Sequence, residues 1–220
     1  MSSYAAQKDP SHSELMDSIY RRQRYIYDAT RKYYLLGRDR MIGDLDMTPR
    51  QTLLEVGCGT GRNLALAARR YPDIRLHGLD ISAEMLASAE KTLLCLGRAE
   101  PVLKLGDAAQ MQAADFGVVG FDRIMISYAL SMIPEWEKTI DAALMALKPG
   151  GSLHIADFGQ QRRLPAWFRH GLRSWLRRFH VTPRAGLEDV LRSRAADGKL
   201  SLEFTSHARD YAWIAVIRRK

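Results

Sequence analysis

Five short apolar runs separated by stretches of helical periodicity constrain this chain more than any single residue does. TLLEV (52–56), IRLHGLD (74–80), VLKLGD (102–107), FDRIMIS (121–127) and GSLHIADF (151–158) have the length and β-branched content of buried strands. Between them NLALAARR, AEMLASAEKTLL and TIDAALMAL repeat apolar residues at helical spacing. Strands alternating with helices predict an α/β fold with a doubly wound, mostly parallel sheet, because each crossover helix returns the chain to start the next strand in the same direction. KPGG (148–151) reads as a stop signal with a turn, and LSLEFTSHA followed by DYAWIAVIRR reads as an antiparallel pair closing a seven-stranded sheet. A chain of 220 residues, 46% of them hydrophobic, with no repeat or low-complexity tract, fits one core.

Several function classes are disfavoured. The N-terminal MSSYAAQKDPSHSEL has no apolar h-region, and runs such as IMISYALSMI are too short to span a bilayer, so a soluble, cytoplasmic protein is expected. Cys58 and Cys95 form no CxxC and the six histidines lack ligand spacing, so neither a disulfide framework nor a metal site is expected. Residues 20–40 hold seven Arg or Lys and two Asp, and residues 158–184 hold seven Arg and no acid, whereas the whole chain is only +8. Two basic segments on a mildly acidic body predict local contacts with an anionic partner rather than general nucleic-acid affinity. Nothing in the sequence specifies an oligomeric state.

The glycines give the first chemical clue. LLEVGCGTGRNL sets Gly57, Gly59 and Gly61 between a strand and a helix, where absent side chains let a ligand approach the backbone. The spacing G-x-G-x-G differs from the dinucleotide fingerprint G-x-G-x-x-G, which favours a ligand without a pyrophosphate. Asp80, nineteen residues after Gly61, closes the next strand where a carboxylate can accept both hydroxyls of a ribose. Asp107, in KLGDAAQM, holds the equivalent edge of the third strand, within reach of an adenine amine. Singly, either aspartate is better explained as a turn or helix cap than as a ligand contact; three such features along one sheet edge reverse that and point to a nucleoside.

As a set, EVGCGTG, GLDIS, LGDAAQM and LKPGG resemble the S-adenosylmethionine-dependent class I methyltransferases over residues 50–158, and more loosely over the final strand pair. The resemblance implies a Rossmann-like core over 49–220, with residues 1–48 as a helical lid of the same domain and a basic amphipathic insert at about 162–181. It also implies a pocket for S-adenosylmethionine formed by Arg38, Glu55, Gly57, Cys58, Gly59, Thr60, Gly61, Asp80, Ile81, Met85, Asp107, Ala108 and Ser127.

The acceptor is read from outside these motifs. SYALSM (127–132) lacks the Pro-Pro-aromatic stretch of base N-methyltransferases, and no cysteine sits where a covalent pyrimidine mechanism needs one, so nucleic acid is disfavoured. Tyr20, Tyr27 and Tyr34 repeat every seven residues beside Arg24 and Arg31. That pattern fits a half-buried helix, and equally a lid whose rings stabilise a methylated ammonium by cation–π attraction. In RRLPAWFRHGLRSWLRRFHV (162–181) one helical half carries Leu164, Trp167, Phe168, Leu172, Trp175, Leu176 and Phe179, and the other Arg169, His170, Arg173 and Arg177. This composition suits an anionic membrane interface, a cap helix or an arginine-rich RNA groove. Lid and insert together resemble the bacterial lipid N-methyltransferases. SIYRRQRYIYDATRKYYLLGRDRMI is most similar to those that make a betaine lipid from diacylglyceryl-homoserine, with the phosphatidylethanolamine enzymes as the alternative. Under that resemblance Tyr20, Tyr27 and Tyr128 contact the nitrogen, and Arg38 or Arg31 pairs with a carboxylate. Asp157, at the end of HIADF, is the candidate base or else a structural cap, while His154 faces the opposite side of the sheet. A peripheral place on the inner face of the membrane follows. A methyltransferase for a soluble small molecule and a noncatalytic cofactor- or RNA-binding protein are the competing readings.

Overall fold

The computed structural model describes residues 35–96 and 101–220. Residues 1–34 of the lid expected over 1–48 therefore lie outside the described residues, Tyr20, Tyr27 and Arg31 among them; the described part of that segment contains helix α1 (Arg38–Gly43). From there the chain runs β1 (Thr52–Val56), α2 (Arg62–Arg70), β2 (Arg75–Asp80), α3 (Ala83–Leu94), β3 (Val102–Leu105), β4 (Phe121–Ser127), α4 (Trp136–Met145) and β5 (Leu147–Phe158). It continues through α5 (Ala166–Arg177), α6 (Leu187–Arg194), β6 (Leu200–His207) and β7 (Ala212–Arg219).

The seven strands form one sheet in the order β3-β2-β1-β4-β5-β7-β6, with β7 antiparallel to both neighbours and the other pairs parallel. The expected doubly wound architecture is present. Strand order reverses between β1 and β4, which opens a crevice at the carboxyl ends of those strands, the place where such sheets bind ligands.

Side chains alternate across the sheet, so each strand feeds two cores. Leu54, Val56, Ile124, Ile126, Leu153 and Ile155 pack on one face with Ile140 of α4 and Leu187 and Leu191 of α6. Leu53, Met125 and Ala156 pack on the other with Met41 and Ile42 of α1, Leu64 and Ala67 of α2, and Leu176 of α5. Burying each such Leu or Ile contributes about 1.5–3 kcal/mol before chain entropy is counted.

Three elements differ from expectation. KPGG does not end before β5 but lies within its bounds: Leu147 pairs with Phe121 and Ser152 with Arg123, so residues 148–151 bulge between two registered pairs. Helix α6 was not foreseen, because LEDVLRSR is short and mostly polar; its Leu187 and Leu191, one turn apart, are buried, and Arg194 bonds Asp141 of α4 at 2.6 Å. In α5 the apolar stripe divides. Leu172, Trp175, Leu176 and Phe179 pack on the domain as a cap helix would, whereas Trp167 is 77% and Phe168 39% exposed. Arg173, placed by the helical wheel on the outer face, turns inward instead. Its guanidinium donates to the Gln160 carbonyl at 3.0 Å and to the side chains of Gln160 and Gln161 at 3.1 and 3.3 Å, fastening α5 to the chain that follows β5.

Candidate active site

The glycine turn leaves β1 at the crevice. Gly57, Gly59 and Gly61 have φ of 70°, 53° and 74°, a region that side chains disfavour. Two of the three are also closed sterically: a Cβ on Gly57 would lie 2.7 Å from the Cβ of Ala129, and one on Gly61 3.0 Å from Ala89 of α3. The turn is held from the next strand. Gly57 and Cys58 N–H donate to the Leu79 carbonyl at 2.8 and 3.0 Å, and Gly59 N–H donates to the Asp80 carboxylate at 2.7 Å. The other Asp80 oxygen accepts Ser82 N–H at 3.0 Å, and Ser82 caps α3 by accepting from Met85 N–H. A carboxylate can accept about four hydrogen bonds, which lets one group tie the loop and still receive a ligand. Asp107 plays a smaller capping role, accepting Ala109 N–H at 2.9 Å.

Around this turn the crevice has two lobes that share Gly57. The larger, about 180 Å³, is lined by the predicted Gly57, Gly59, Asp80, Ile81, Asp107 and Ala108, and closed by Ala129 and the stretch Met132–Glu135. The smaller, about 20 Å³, is lined by the predicted Arg38, Glu55, Gly57, Cys58, Thr60 and Ser127, with Leu35, Arg62 and Asn63. Gly61 and Met85 line neither lobe: Gly61 sets α2 against α3, and Met85 is buried against Ile81 and Met132. In the smaller lobe Glu55 accepts from the Asn63 amide at 2.7 Å. Buried Arg38 bonds the exposed carboxylate of Asp39 at 3.1 Å. The Ser127 hydroxyl is buried without a hydrogen-bond partner among the described residues. Burial, and then the charges of Asp80 and Glu55, push the Cys58 thiol well above its ordinary range, which favours the protonated form.

Two predicted residues lie at the ends of β4 and β5 but line neither lobe. Tyr128 follows β4 with φ of 55°; its hydroxyl donates to the Leu36 carbonyl at 2.5 Å, and its ring meets Phe158 edge to face at 4.7 Å. Burial, helped by Asp157, pushes its phenol well above the usual range. Asp157 is buried and accepts Phe158 N–H at 2.7 Å and Ser131 N–H at 3.1 Å. Burial outweighs these bonds and raises its carboxyl to about 6. His154 is buried on the other face and bonded to Ser152; burial, then Arg123 and Arg218, drops it to about 3. No group of His, Cys, Asp and Glu among the described residues is arranged to hold a metal.

Sequence reasoning missed the wall formed by residues 132–135. The signal available was position alone, since the segment after β4 borders the switch-point crevice in any sheet of this order. It also missed Arg184, whose side chain bonds that wall from 51 residues further along the chain; no motif marks it.

The sequence pattern of the family described as a methyltransferase domain matches residues 48–195. A phosphatidylethanolamine N-methyltransferase from Cereibacter sphaeroides is 35% identical over 107 residues, which are 48% of this chain and 49% of that one. An arsenite methyltransferase from Halobacterium salinarum is 28% identical over 120 residues, 54% of this chain and 30% of that one. The chain spans less than half the length of either relative. The solved phosphoethanolamine N-methyltransferase 2 of Haemonchus contortus, in complex with phosphomonomethylethanolamine and S-adenosylhomocysteine, superposes with a TM-score of 0.74 at 16% identity, covering 96% of this chain and 60% of that one. That likeness is one of fold.

Proposed function

Given that the chain belongs to the methyltransferase-domain family, we propose that it is an S-adenosylmethionine-dependent N-methyltransferase whose acceptor is the amine of a membrane lipid, diacylglyceryl-homoserine first. The observation that carries the cofactor is the two-lobed crevice around the glycine turn. When bound, S-adenosylmethionine supplies a cationic, electrophilic methyl donor. The residues fit such a group. Asp80 and Asp107 in the larger lobe suit ribose hydroxyls and an adenine amine. Arg38, Thr60 and the Ser127 hydroxyl, which has no hydrogen-bond partner among the described residues, suit an amino acid's carboxylate and ammonium in the smaller lobe. Asp80 and Glu55 make the junction between the lobes electronegative, which favours a sulfonium over a neutral thioether. Alignment of the acceptor and exclusion of water supply most of the remaining catalysis in methyl transfer.

A lipid acceptor is supported from a separate direction. Trp167 and Phe168 project from the start of α5 among exposed Arg162, Arg163 and His170, with no acid anywhere between residues 158 and 184. Rings flanked by cations suit the headgroup region of an anionic bilayer. No helix among the described residues is long and apolar enough to cross a membrane, so contact would be peripheral. Under this reading Tyr20, Tyr27 and Tyr128 are the candidate ring contacts for the amine, Tyr128 from its buried place against Phe158, and buried Asp157, with its carboxyl near 6, is the candidate to hold the proton an ammonium acceptor releases. The 35% identity to a phosphatidylethanolamine N-methyltransferase favours that lipid as the second acceptor to try. Mass spectrometry of lipids from cells expressing the protein, with and without a supply of homoserine-linked lipid, tests the choice. Mono-, di- and trimethylated homoserine lipid is expected; an unchanged lipid profile with intact cofactor binding contradicts it.

A further inference from the structure

Arg184 differs from the exposed Arg162, Arg163, Arg177 and Arg178 of the basic segment, because its guanidinium is spent on the protein's own backbone. Its Nε donates to the Leu130 carbonyl at 2.9 Å and its Nη2 to the Ile133 carbonyl at 2.7 Å. Thr182 N–H donates to the carbonyl between them, that of Ser131, at 2.8 Å. Three carbonyls of residues 130–133 are thus gripped by residues 182–184. The same stretch is held from the sheet side by Asp157, which accepts Ser131 N–H. The guanidinium lies 6.0 Å from the ring centre of Trp136, at the start of α4. The gripped stretch borders the crevice, since Met132 and Ile133 line the larger lobe together with Ala129, Pro134 and Glu135 on either side.

We propose that Arg184 is a positioning residue for cofactor binding, fixing the 130–133 backbone so that Met132 and Ile133 close the adenosine side of the crevice. The proposal rests on the reading that the larger lobe takes adenosine. Geometry makes arginine the fitting residue: a planar guanidinium can donate to two carbonyls at once, whereas an ammonium on a flexible stem is a point donor. The carbonyls of Leu130 and Ile133 belong to a tight turn in which Met132 and Ile133 N–H both donate to Ala129 O, at 2.9 and 3.1 Å, so the turn's outward carbonyls need a donor from elsewhere. Arg184 supplies it from the segment that ends the basic insert, which links the surface carrying Trp167 to the wall of the crevice.

The test is calorimetric titration of the full chain with S-adenosylhomocysteine and with methylthioadenosine, which lacks the amino-acid end. For Arg184→Gln both ligands are expected to weaken by about tenfold, the size of one charge-assisted hydrogen bond. Arg184→Lys should fall between parent and Arg184→Gln for both ligands, and it carries the test if the glutamine variant does not fold. Arg38→Gln, in the smaller lobe, should weaken S-adenosylhomocysteine but leave methylthioadenosine unchanged. Arg194→Gln, which breaks the α6–α4 ion pair with Asp141, should lower thermal stability without moving either affinity. A merely structural Arg184 would behave like Arg194. Affinities of a folded Arg184→Gln within about twofold of parent, an Arg184→Lys indistinguishable from parent where the glutamine variant does not fold, or weakening confined to S-adenosylhomocysteine, would overturn the proposal. A parent chain that binds neither ligand would overturn the cofactor reading and this one with it.

Discussion

Asp80 shows how one side chain can serve fold and site together. Its two oxygens bind Gly59 N–H and Ser82 N–H, so the same carboxylate that faces the larger lobe sets the glycine turn and the start of α3. Asp80→Ala is therefore expected to weaken S-adenosylhomocysteine binding by the 1–3 kcal/mol characteristic of a lost buried acceptor, roughly one to two orders of magnitude in Kd. Unchanged affinity in calorimetry of a folded variant would remove Asp80 from the site. Asp157 makes a different prediction, through pH. Burial raises its carboxyl from about 3.8 to about 6. An acid whose folded value is raised stabilises the fold below its unfolded value and loses that contribution as pH rises through the folded one. Stability owed to Asp157 should thus fall between about pH 4 and pH 6, by on the order of 3 kcal/mol. Asp157→Asn has no such titration, so urea denaturation across this range should show the variant gaining on the parent as pH rises. Parallel curves would mean that Asp157 titrates normally. At this scale the sequence revealed residues tied to motifs, such as Asp80 and Asp107, but not those recruited by chain geometry. Arg184 acts through carbonyls, and a carbonyl leaves no mark on the amino-acid code.

At the scale of elements, legibility followed periodicity. β1 and β4 begin and end where their mainly apolar runs do, because strands covered on both faces read as near-continuous hydrophobic segments. The LKPGG segment was legible as a turn yet not as a bulge inside β5, since only registration against β4 distinguishes the two. In α5 the helical wheel found the apolar face but could not say how much of it the domain covers. The structure leaves Trp167 and Phe168 out and draws Arg173 in. Trp167→Ala should accordingly reduce flotation with vesicles without changing its salt sensitivity. Arg169→Glu with Arg177→Glu should reduce it chiefly on anionic vesicles, by roughly 1 kcal/mol per charge, and added salt should weaken the parent in the same direction. If neither variant floats differently from the parent, α5 is a cap helix alone. Arg173→Glu is a poor probe of the surface because it would release α5 from Gln160.

For the molecule as a whole, the parallel sheet brings the glycine turn, Asp80, Asp107 and the residues after β4 and β5 to one edge, and the basic insert follows β5 from that edge. The crevice and the proposed membrane contact are therefore joined by a single stretch, residues 159–184, tied at its start to Tyr211 and Asp210 through Gly159 and Gln161 N–H and at its end to the crevice wall through Arg184. This arrangement predicts catalysis at a surface, with acceptor presented from the bilayer and donor from the water side. The most direct measurement is methyl transfer in a purified system: the chain, S-adenosylmethionine carrying a labelled methyl group, and anionic vesicles containing diacylglyceryl-homoserine or phosphatidylethanolamine, followed by mass spectrometry of the extracted lipid. Label on the lipid amine, lost when the vesicles are made neutral or when Trp167 is replaced, is the expected result. Bound cofactor with no label in either lipid would contradict the account.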